Sequence, residues 1–332
     1  MHYPDDLRRL EHFIAGETGR LYLREVGASD RASDARPLLL IHGARTPGVP
    51  SFDLPVEGGS LAADLARARR RVFIGDLRGY GYSDRMAEML QDPSDTRPLV
   101  RVRAASRDID AMVNWIVDHT GQKQVSLLGW ATGGMWCGYF AAAQPEAVER
   151  FVLYNSLYRS PDHPTLGAGS GLEDAANPGQ FDRGNYGGYR FNAAASLLGA
   201  WDSSIPAREP DAWRDPAVAA SYVEEALRSD ATSFDRDPPS FRAPTGALED
   251  SFYQATGRQL YDASLIECPT LVIAGARDFW SQAVDRDELV RHLCHAPEVR
   301  VHVVPQGTHF MHLDRPGAGR DEFLHVVSEF LG

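Results

Sequence analysis

A short apolar run that ends in closely spaced glycines limits what this chain can fold into. Residues 125–134 read VSLLGWATGG, which predicts a buried strand that passes into a turn of small residues and then into a helix. Gly129 and Gly133 flank Ala131 in the pattern of a strained strand-to-helix turn, whose neighbours must lack a Cβ atom. Such a turn holds its central side chain in the open. A helix that begins at Thr132 directs its free N–H groups at negative charge that develops nearby.

Short apolar runs alternate with helical patterns from Leu38 onward. This alternation indicates an α/β protein with a mostly parallel central sheet flanked by helices on both faces. Strands are predicted over 21–26, 37–42, 72–76, 124–128, 151–155, 270–274 and 299–304. Helices are predicted over 106–119, 285–293 and 320–330, where apolar residues recur at helical spacing.

Residues 157–264 interrupt the alternation, because they are rich in Gly, Pro, Asp and aromatic residues and lack a clear apolar β run. Helices are predicted there over 192–200 and 216–228. An interval of this length is too long for an ordinary connection and is typical of a lid. We therefore expect a core formed by residues 1–156 and 265–332, with residues 157–264 as a cap domain.

The composition limits the kinds of molecule that we expect the chain to bind. The chain has 332 residues, of which 43% are hydrophobic, and this is enough for a well-buried core. Its net charge of −12 opposes nucleic-acid binding, because the phosphate backbone would be repelled. The charged N-terminus lacks the pattern of a leader, and no run approaches the roughly 20 apolar residues that span a bilayer. We expect a cytoplasmic protein with neither a nucleic-acid nor a membrane partner.

Four further motifs lie along the chain, two before the glycine turn and two after it. Residues 42–44 (HGA) and 76–83 (DLRGYGYS) precede the glycine turn, and residues 274–278 (AGARD) and 305–310 (PQGTHF) follow later predicted strands. With residues 129–133, these segments resemble the α/β-hydrolase superfamily, in its serine esterase and lactonase branch. The family's chain order is nucleophile, acid, base. The resemblance implies the α/β-hydrolase fold, with a long helical cap inserted after the sixth strand.

The resemblance also assigns roles to residues. Asp278 takes the place of the acid and His309 that of the base, while position 131 is that of the nucleophile. The backbone N–H groups of Ala44 and Thr132 are expected to form the oxyanion hole.

Other side chains near these motifs have two interpretations. Trp130 and Trp280 either line the substrate pocket or pack in the core. Arg45 meets either a substrate or a surface acid, and the aromatic residues of the cap form either a bulky-substrate pocket or the cap's own core. His312 fits the base motif less well than His309, and His42 is assigned a structural role.

Ala131 differs from the family's nucleophile, because its methyl group cannot attack a carbonyl carbon. The family's Ser, Cys and Asp are all absent at this position. Either a serine has been replaced deliberately to trap a bound ester, or the protein is a natural descendant that has lost catalysis. The intact acid, base and glycines favour the first explanation.

The sequence thus predicts a serine hydrolase that cleaves a small-molecule carboxylic ester or lactone through an acyl-enzyme, with Ser at 131 and with neither a cofactor nor a metal. A C–C bond hydrolase or a thioesterase would use the same triad. A non-catalytic ligand-binding homologue would keep the pocket without the reaction, and a lyase or cofactor-free oxygen reaction would depend mainly on His309. The oligomeric state does not follow from the sequence.

Overall fold

The predicted apolar runs form one large sheet in the computed structural model, which describes residues 3–28, 35–206 and 208–332. The strands are β1 (Arg8–Ala15), β2 (Arg20–Gly27), β3 (Pro37–Ile41), β4 (Arg71–Asp76), β5 (Val125–Trp130), β6 (Val148–Tyr154), β7 (Tyr189–Ala193), β8 (Ser240–Pro244), β9 (Thr270–Gly275) and β10 (Val299–Val304). Eight of them lie in the order β1-β2-β4-β3-β5-β6-β9-β10. Only the β1–β2 and β2–β4 pairs are antiparallel, so the prediction of a mostly parallel sheet is confirmed.

Helices cover both faces of this sheet. The helices of the described residues are α1 (Gly48–Phe52), α2 (Leu61–Arg67), α3 (Val102–Thr120), α4 (Thr132–Ala143), α5 (Arg183–Tyr186), α6 (Gly199–Ser204), α7 (Pro216–Arg228), α8 (Gly246–Ala255), α9 (Ala283–His292) and α10 (Arg320–Leu331). The central strands β3 and β5 are buried along their whole length, as expected of parallel strands covered on two faces. Three predicted helices are present: the one over 106–119 lies within α3, and the one over 320–330 lies within α10. The one over 285–293 overlaps α9, which ends at His292.

The N-terminal strand β1 was not predicted from the sequence. Polar residues make up half of its sequence, RRLEHFIA, and Ile14 is the one buried residue of the strand. The strand pairs with β2 alone, at the edge of the sheet, so it needs little apolar surface. An apolar run is therefore a poor signal for an edge strand.

Residues 155–269, called the insertion below, leave the sheet after β6 and return at β9, which is the parallel neighbour of β6. They contain α5 to α8 and an antiparallel pair formed by β7 and β8. The helix predicted over 192–200 is wrong: β7 runs to Ala193, a 3₁₀ turn covers Ala194–Ser196, and α6 begins only at Gly199. Pairing with β8 overrides the helical preference of the alanines.

The second helix predicted in the insertion, over 216–228, coincides with α7. Its start is explained by Asp215, whose side chain accepts a hydrogen bond from the Ala217 N–H, and by Pro216 in the first turn. Whether residues 157–264 form a separate domain stays a prediction. In the part of the chain that the structure describes, no helix is both long and apolar enough to cross a membrane.

Candidate active site

Ala131 lies at the sharp turn between β5 and α4. Its φ of 53° and ψ of −118° place a non-glycine residue in a strained backbone conformation. Two hydrogen bonds hold it there: the Ala131 N–H donates to the Tyr154 carbonyl at 2.8 Å, and the Gly134 N–H donates to the Ala131 carbonyl at 3.0 Å. The predicted strained turn is thus present in the structure.

The glycines around Ala131 allow backbone segments to approach one another closely. A Cβ atom on Gly129 would collide with the Gly133 carbonyl, and one on Gly133 would lie 2.6 Å from the His42 carbonyl oxygen. A Cβ on Gly134 would lie 2.6 Å from the Ser156 Cβ. These positions therefore require glycine for packing, and the packing brings the start of α4 against the ends of β3 and β5.

His309 and Asp278 form a hydrogen-bonded pair in the loops that follow β10 and β9. The His309 Nδ1 lies 2.6 Å from the Asp278 Oδ1. The Asp278 side chain is fully buried and accepts two further bonds at Oδ2, from the Ser281 N–H at 2.9 Å and the Ser281 hydroxyl at 2.7 Å. Because Nδ1 faces the carboxylate, Nε2 is the ring nitrogen left to exchange a proton.

One cavity of about 210 Å³ brings most of the predicted residues together. The predicted residues that line it are Ala44, Trp130, Ala131, Thr132, Trp280 and His309. Asp278 does not line the cavity and lies behind His309, to which it is hydrogen-bonded. The arrangement has the geometry of a nucleophile position, a base and its orienting acid.

Two residues that line the cavity beside Ala131, Ala44 and Thr132, carry backbone N–H groups. Thr132 is the first residue of α4, so its N–H has no partner within the helix. The loop that carries Ala44 passes close by, since a Cβ on Gly43 would lie 3.4 Å from the Ala131 Cβ. The Tyr80 hydroxyl lies 3.1 Å from the Ala44 carbonyl oxygen and helps to fix that loop. This arrangement suits an oxyanion hole.

The backbone of His309 is held by Trp130 and by two residues that the sequence did not mark as part of the site, Tyr154 and Asn155. Its carbonyl oxygen is surrounded by the Trp130 Nε1–H at 3.0 Å, the Asn155 Nδ2–H at 3.1 Å and the Tyr154 hydroxyl at 3.1 Å. Asn155 also accepts a hydrogen bond from the Gly275 N–H at 2.9 Å, and so links the acid and base loops. Trp130, which lines the cavity, therefore also anchors the base.

The two other candidate histidines are engaged elsewhere. Both ring nitrogens of His312 have partners: Nε2 lies 3.0 Å from the Ser51 carbonyl and Nδ1 lies 2.9 Å from the Tyr154 hydroxyl. Burial lowers the pKa of His312 to about 3, so it is neutral at neutral pH. In His42, Nδ1 faces the Gly43 carbonyl at 2.7 Å, and burial lowers its pKa as well. These contacts suit structural roles.

Among the described residues, Arg45 forms no ion pair with an acid. Its Nε donates to the Asn192 Oδ1 at 3.1 Å, and its Nη2 donates to Ser196. It lines the cavity together with Arg190, which the sequence did not mark, and Tyr222, one of the aromatic residues of the predicted cap. Both lie in the insertion, where no motif marks them.

Of the aromatic residues of the insertion, only Tyr222 lines this cavity. Its hydroxyl lies 2.6 Å from the Thr46 hydroxyl, which follows the oxyanion loop. Phe181, Phe252 and Tyr253 instead pack in a smaller core of the insertion. The aromatic content of the insertion therefore reflects its own packing more than the size of a substrate.

A separate cluster, formed by His12, Glu25 and His119, has its ligand atoms close enough to share a metal ion. None of the three lines the cavity. Arg71 already donates to the Glu25 carboxylate at 2.6 Å and lies 2.8 Å from the His119 Nε2. A cation would have to displace this guanidinium, so the cluster is better described as an ion-pair network.

Comparisons with known proteins match the fold described above. A family model described as the alpha/beta hydrolase fold matches residues 36–316. The serine hydrolase BPHL of Mus musculus is 24% identical over 314 residues, which cover 94% of this chain and 82% of the mouse protein.

Two solved structures resemble the chain over nearly its whole length. The E-2-(acetamidomethylene)succinate hydrolase has a TM-score of 0.64 at 18% identity, and the match covers 98% of this chain and 99% of that one. A serine-to-alanine mutant of the meta-cleavage product hydrolase from Pseudomonas fluorescens IP01 has a TM-score of 0.61 at 17% identity, with coverages of 96% and 97%. At these identities the likeness establishes the fold.

Proposed function

Because the chain belongs to the α/β-hydrolase fold family, we propose that its site hydrolyses a carboxylic ester or a lactone through an acyl-enzyme when serine stands at position 131. One observation carries this proposal: the 2.6 Å His309–Asp278 pair meets Ala131 at a cavity beside two backbone N–H groups. The similarity to a mouse serine hydrolase supports serine as the missing nucleophile.

The proposed reaction follows from the positions of these groups. His309 Nε2 takes the proton of the serine hydroxyl as Oγ attacks the carbonyl carbon, and the N–H groups of Ala44 and Thr132 stabilise the oxyanion. His309 then returns the proton to the leaving oxygen as its bond to the carbonyl carbon breaks. Water, deprotonated by the same nitrogen, releases the acid and restores the serine. Asp278 keeps the imidazole in the required tautomer and stabilises its charged form.

The second candidate function is ligand binding without catalysis, and Ala131 is the observation that supports it. The chain as it stands has no nucleophile at the turn, so it would bind a substrate without forming an acyl-enzyme. A natural protein with this residue would be a ligand-binding member of the family. C–C bond hydrolases and thioesterases share the triad and differ in the bond that is cleaved, so these substrates belong in the same test.

The test compares the chain as given with its Ala131→Ser variant on a panel of aryl esters, thioesters and lactones. We expect turnover by the serine variant alone, together with a covalent fluorophosphonate adduct at residue 131. Ala131→Ser combined with His309→Gln serves as the matched control and should lose the turnover.

Each other outcome has a definite meaning. If the serine variant is folded but hydrolyses nothing and takes no adduct, the hydrolase proposal fails and the binding protein is the better account. If the chain as given already turns over a substrate and loses this activity on His309→Gln, the chemistry depends on the histidine without a covalent intermediate.

A further inference from the structure

Two arginines, Arg45 and Arg190, line the same cavity as Ala131 and His309. Arg45 belongs to the loop after β3, and Arg190 lies on β7 of the insertion. Within the described ranges, neither guanidinium forms an ion pair with a carboxylate. Other buried arginines, such as Arg24 and Arg78, contact Asp53 and Asp108. Charges removed from water normally require a partner.

Arg190 is the less satisfied of the two. Its Nε is buried without a hydrogen-bond partner among the described residues, whereas Arg45 reaches Asn192 and Ser196. Burial, and next the nearby charge of Arg45, lower the pKa of Arg190 to about 10. The guanidinium remains charged at neutral pH, so two arginines and, among the described lining residues, no carboxylate face the cavity.

We infer that Arg190, with Arg45 beside it, binds a free carboxylate on the substrate. The substrate is then an ester, lactone or thioester that also carries an acid group, held between the insertion and the triad. This assignment of the cleaved bond rests on the proposed function, whereas the anion site itself does not. A guanidinium offers two parallel N–H groups that match a planar carboxylate.

A carboxylate fits these donors better than a phosphate. Arg45 already uses its Nε and one terminal nitrogen on the insertion, so Arg190 supplies most of the free donors. A single fork satisfies one carboxylate, while a phosphate dianion presents more acceptor oxygens than this site can satisfy. The cavity, at about 210 Å³, also suits a small acyl group with an acid end.

The inference predicts discrimination against neutral analogues. A neutral ester would leave the Arg190 guanidinium buried without an anion, and this is costly. Hydrogen bonds to charged groups contribute about 1.5–3 kcal/mol, which corresponds to roughly 10- to 100-fold in affinity.

The experiment uses the chain as given, because Ala131 allows binding to be measured without turnover. Calorimetric titration compares the monophenyl esters of succinate, glutarate and adipate with their methyl phenyl diesters, and with phenyl phosphate. We expect at least one half-ester to bind about tenfold or more tightly than its diester. Arg190→Met should abolish that preference, and Arg190→Lys should keep part of it.

Arg103→Met is the matched control, because Arg103 is exposed on α3 and away from the cavity. Equal binding of half-ester and diester by the unaltered chain, or no binding of any half-ester, overturns the inference, and so does tighter binding of phenyl phosphate. The ligand comparison stands even if Arg190→Met fails to fold. A half-ester preference without hydrolysis by Ala131→Ser would sink the proposed function alone, and hydrolysis without the preference would sink the carboxylate site alone.

Discussion

At the scale of single residues, the site depends on positions that the sequence marks to very different degrees. Ala131 is marked by its flanking glycines, whose spacing is dictated by local backbone geometry. Asp278 and His309 follow strands whose carboxyl ends share one edge of the sheet, so their convergence follows from the parallel order. No sequence motif indicates Asn155 or Arg190, because tertiary packing alone brings their neighbours close.

Asp278→Asn, made in the Ala131→Ser variant, tests the role of the acid. Asn lacks the charge that stabilises the imidazolium and no longer fixes the tautomer, so we expect kcat for an aryl ester to fall roughly 10³- to 10⁴-fold. Steady-state kinetics with a urea unfolding curve separate catalysis from stability. A folded variant whose kcat falls by less than tenfold would show that Asp278 is not the orienting acid.

At the scale of elements, the ends of β5 and β6 hold the loop that carries His309. Trp130 is the last residue of β5 and Tyr154 the last of β6, and both side chains reach the His309 carbonyl. The buried central strands were predictable because they are continuous apolar runs. β1, β7 and β8 were not, because a polar edge strand and the strands of a two-stranded sheet take their structure from a partner more than from their own residues.

Tyr154→Phe removes one hydroxyl from this support and leaves the ring. The single proton of this hydroxyl is shared between the His309 carbonyl and the His312 Nδ1, so its removal loosens the His309 loop. In the Ala131→Ser background we expect kcat to fall about tenfold with KM little changed. The unfolding free energy should also fall by about 1–3 kcal/mol, because the buried His312 Nδ1 loses its donor.

Tyr186→Phe is the control for this substitution, since the Tyr186 hydroxyl bonds the Gly171 carbonyl at an exposed position of the insertion. It should leave both quantities unchanged. An unaltered kcat in Tyr154→Phe would mean that the remaining donors hold the base loop without the hydroxyl.

At the scale of the whole molecule, one buried histidine links stability to pH. The pKa of His312 is lowered by burial to about 3, whereas an unfolded histidine titrates near 6.5. As the pH falls below about 6.5, the unfolded chain gains a proton that the folded chain does not accept until about pH 3. Stability is therefore lost across this window, at up to about 1.4 kcal/mol per pH unit.

His312→Gln isolates this contribution, because glutamine keeps an amide donor for the Ser51 carbonyl but does not titrate. Between pH 6.5 and 4.5 we expect the unaltered chain to lose about 2 kcal/mol more unfolding free energy than the variant. The comparison is needed since Asp314, whose pKa is raised to about 6 by burial, acts in the opposite direction. Parallel pH profiles of the two proteins would contradict the assignment, and exposed His325→Gln serves as the control.

The insertion begins and ends on adjacent strands, since β6 and β9 pair directly. Its two ends are therefore held close together by the sheet itself, whatever lies between them. The entropy of closing a flexible loop grows only slowly, by about 0.6 kcal/mol for each doubling of its length. The sheet thus places almost no limit on the size of this segment, so the wall of the cavity that carries Arg190 can change in length without disturbing the loops that hold Asp278 and His309.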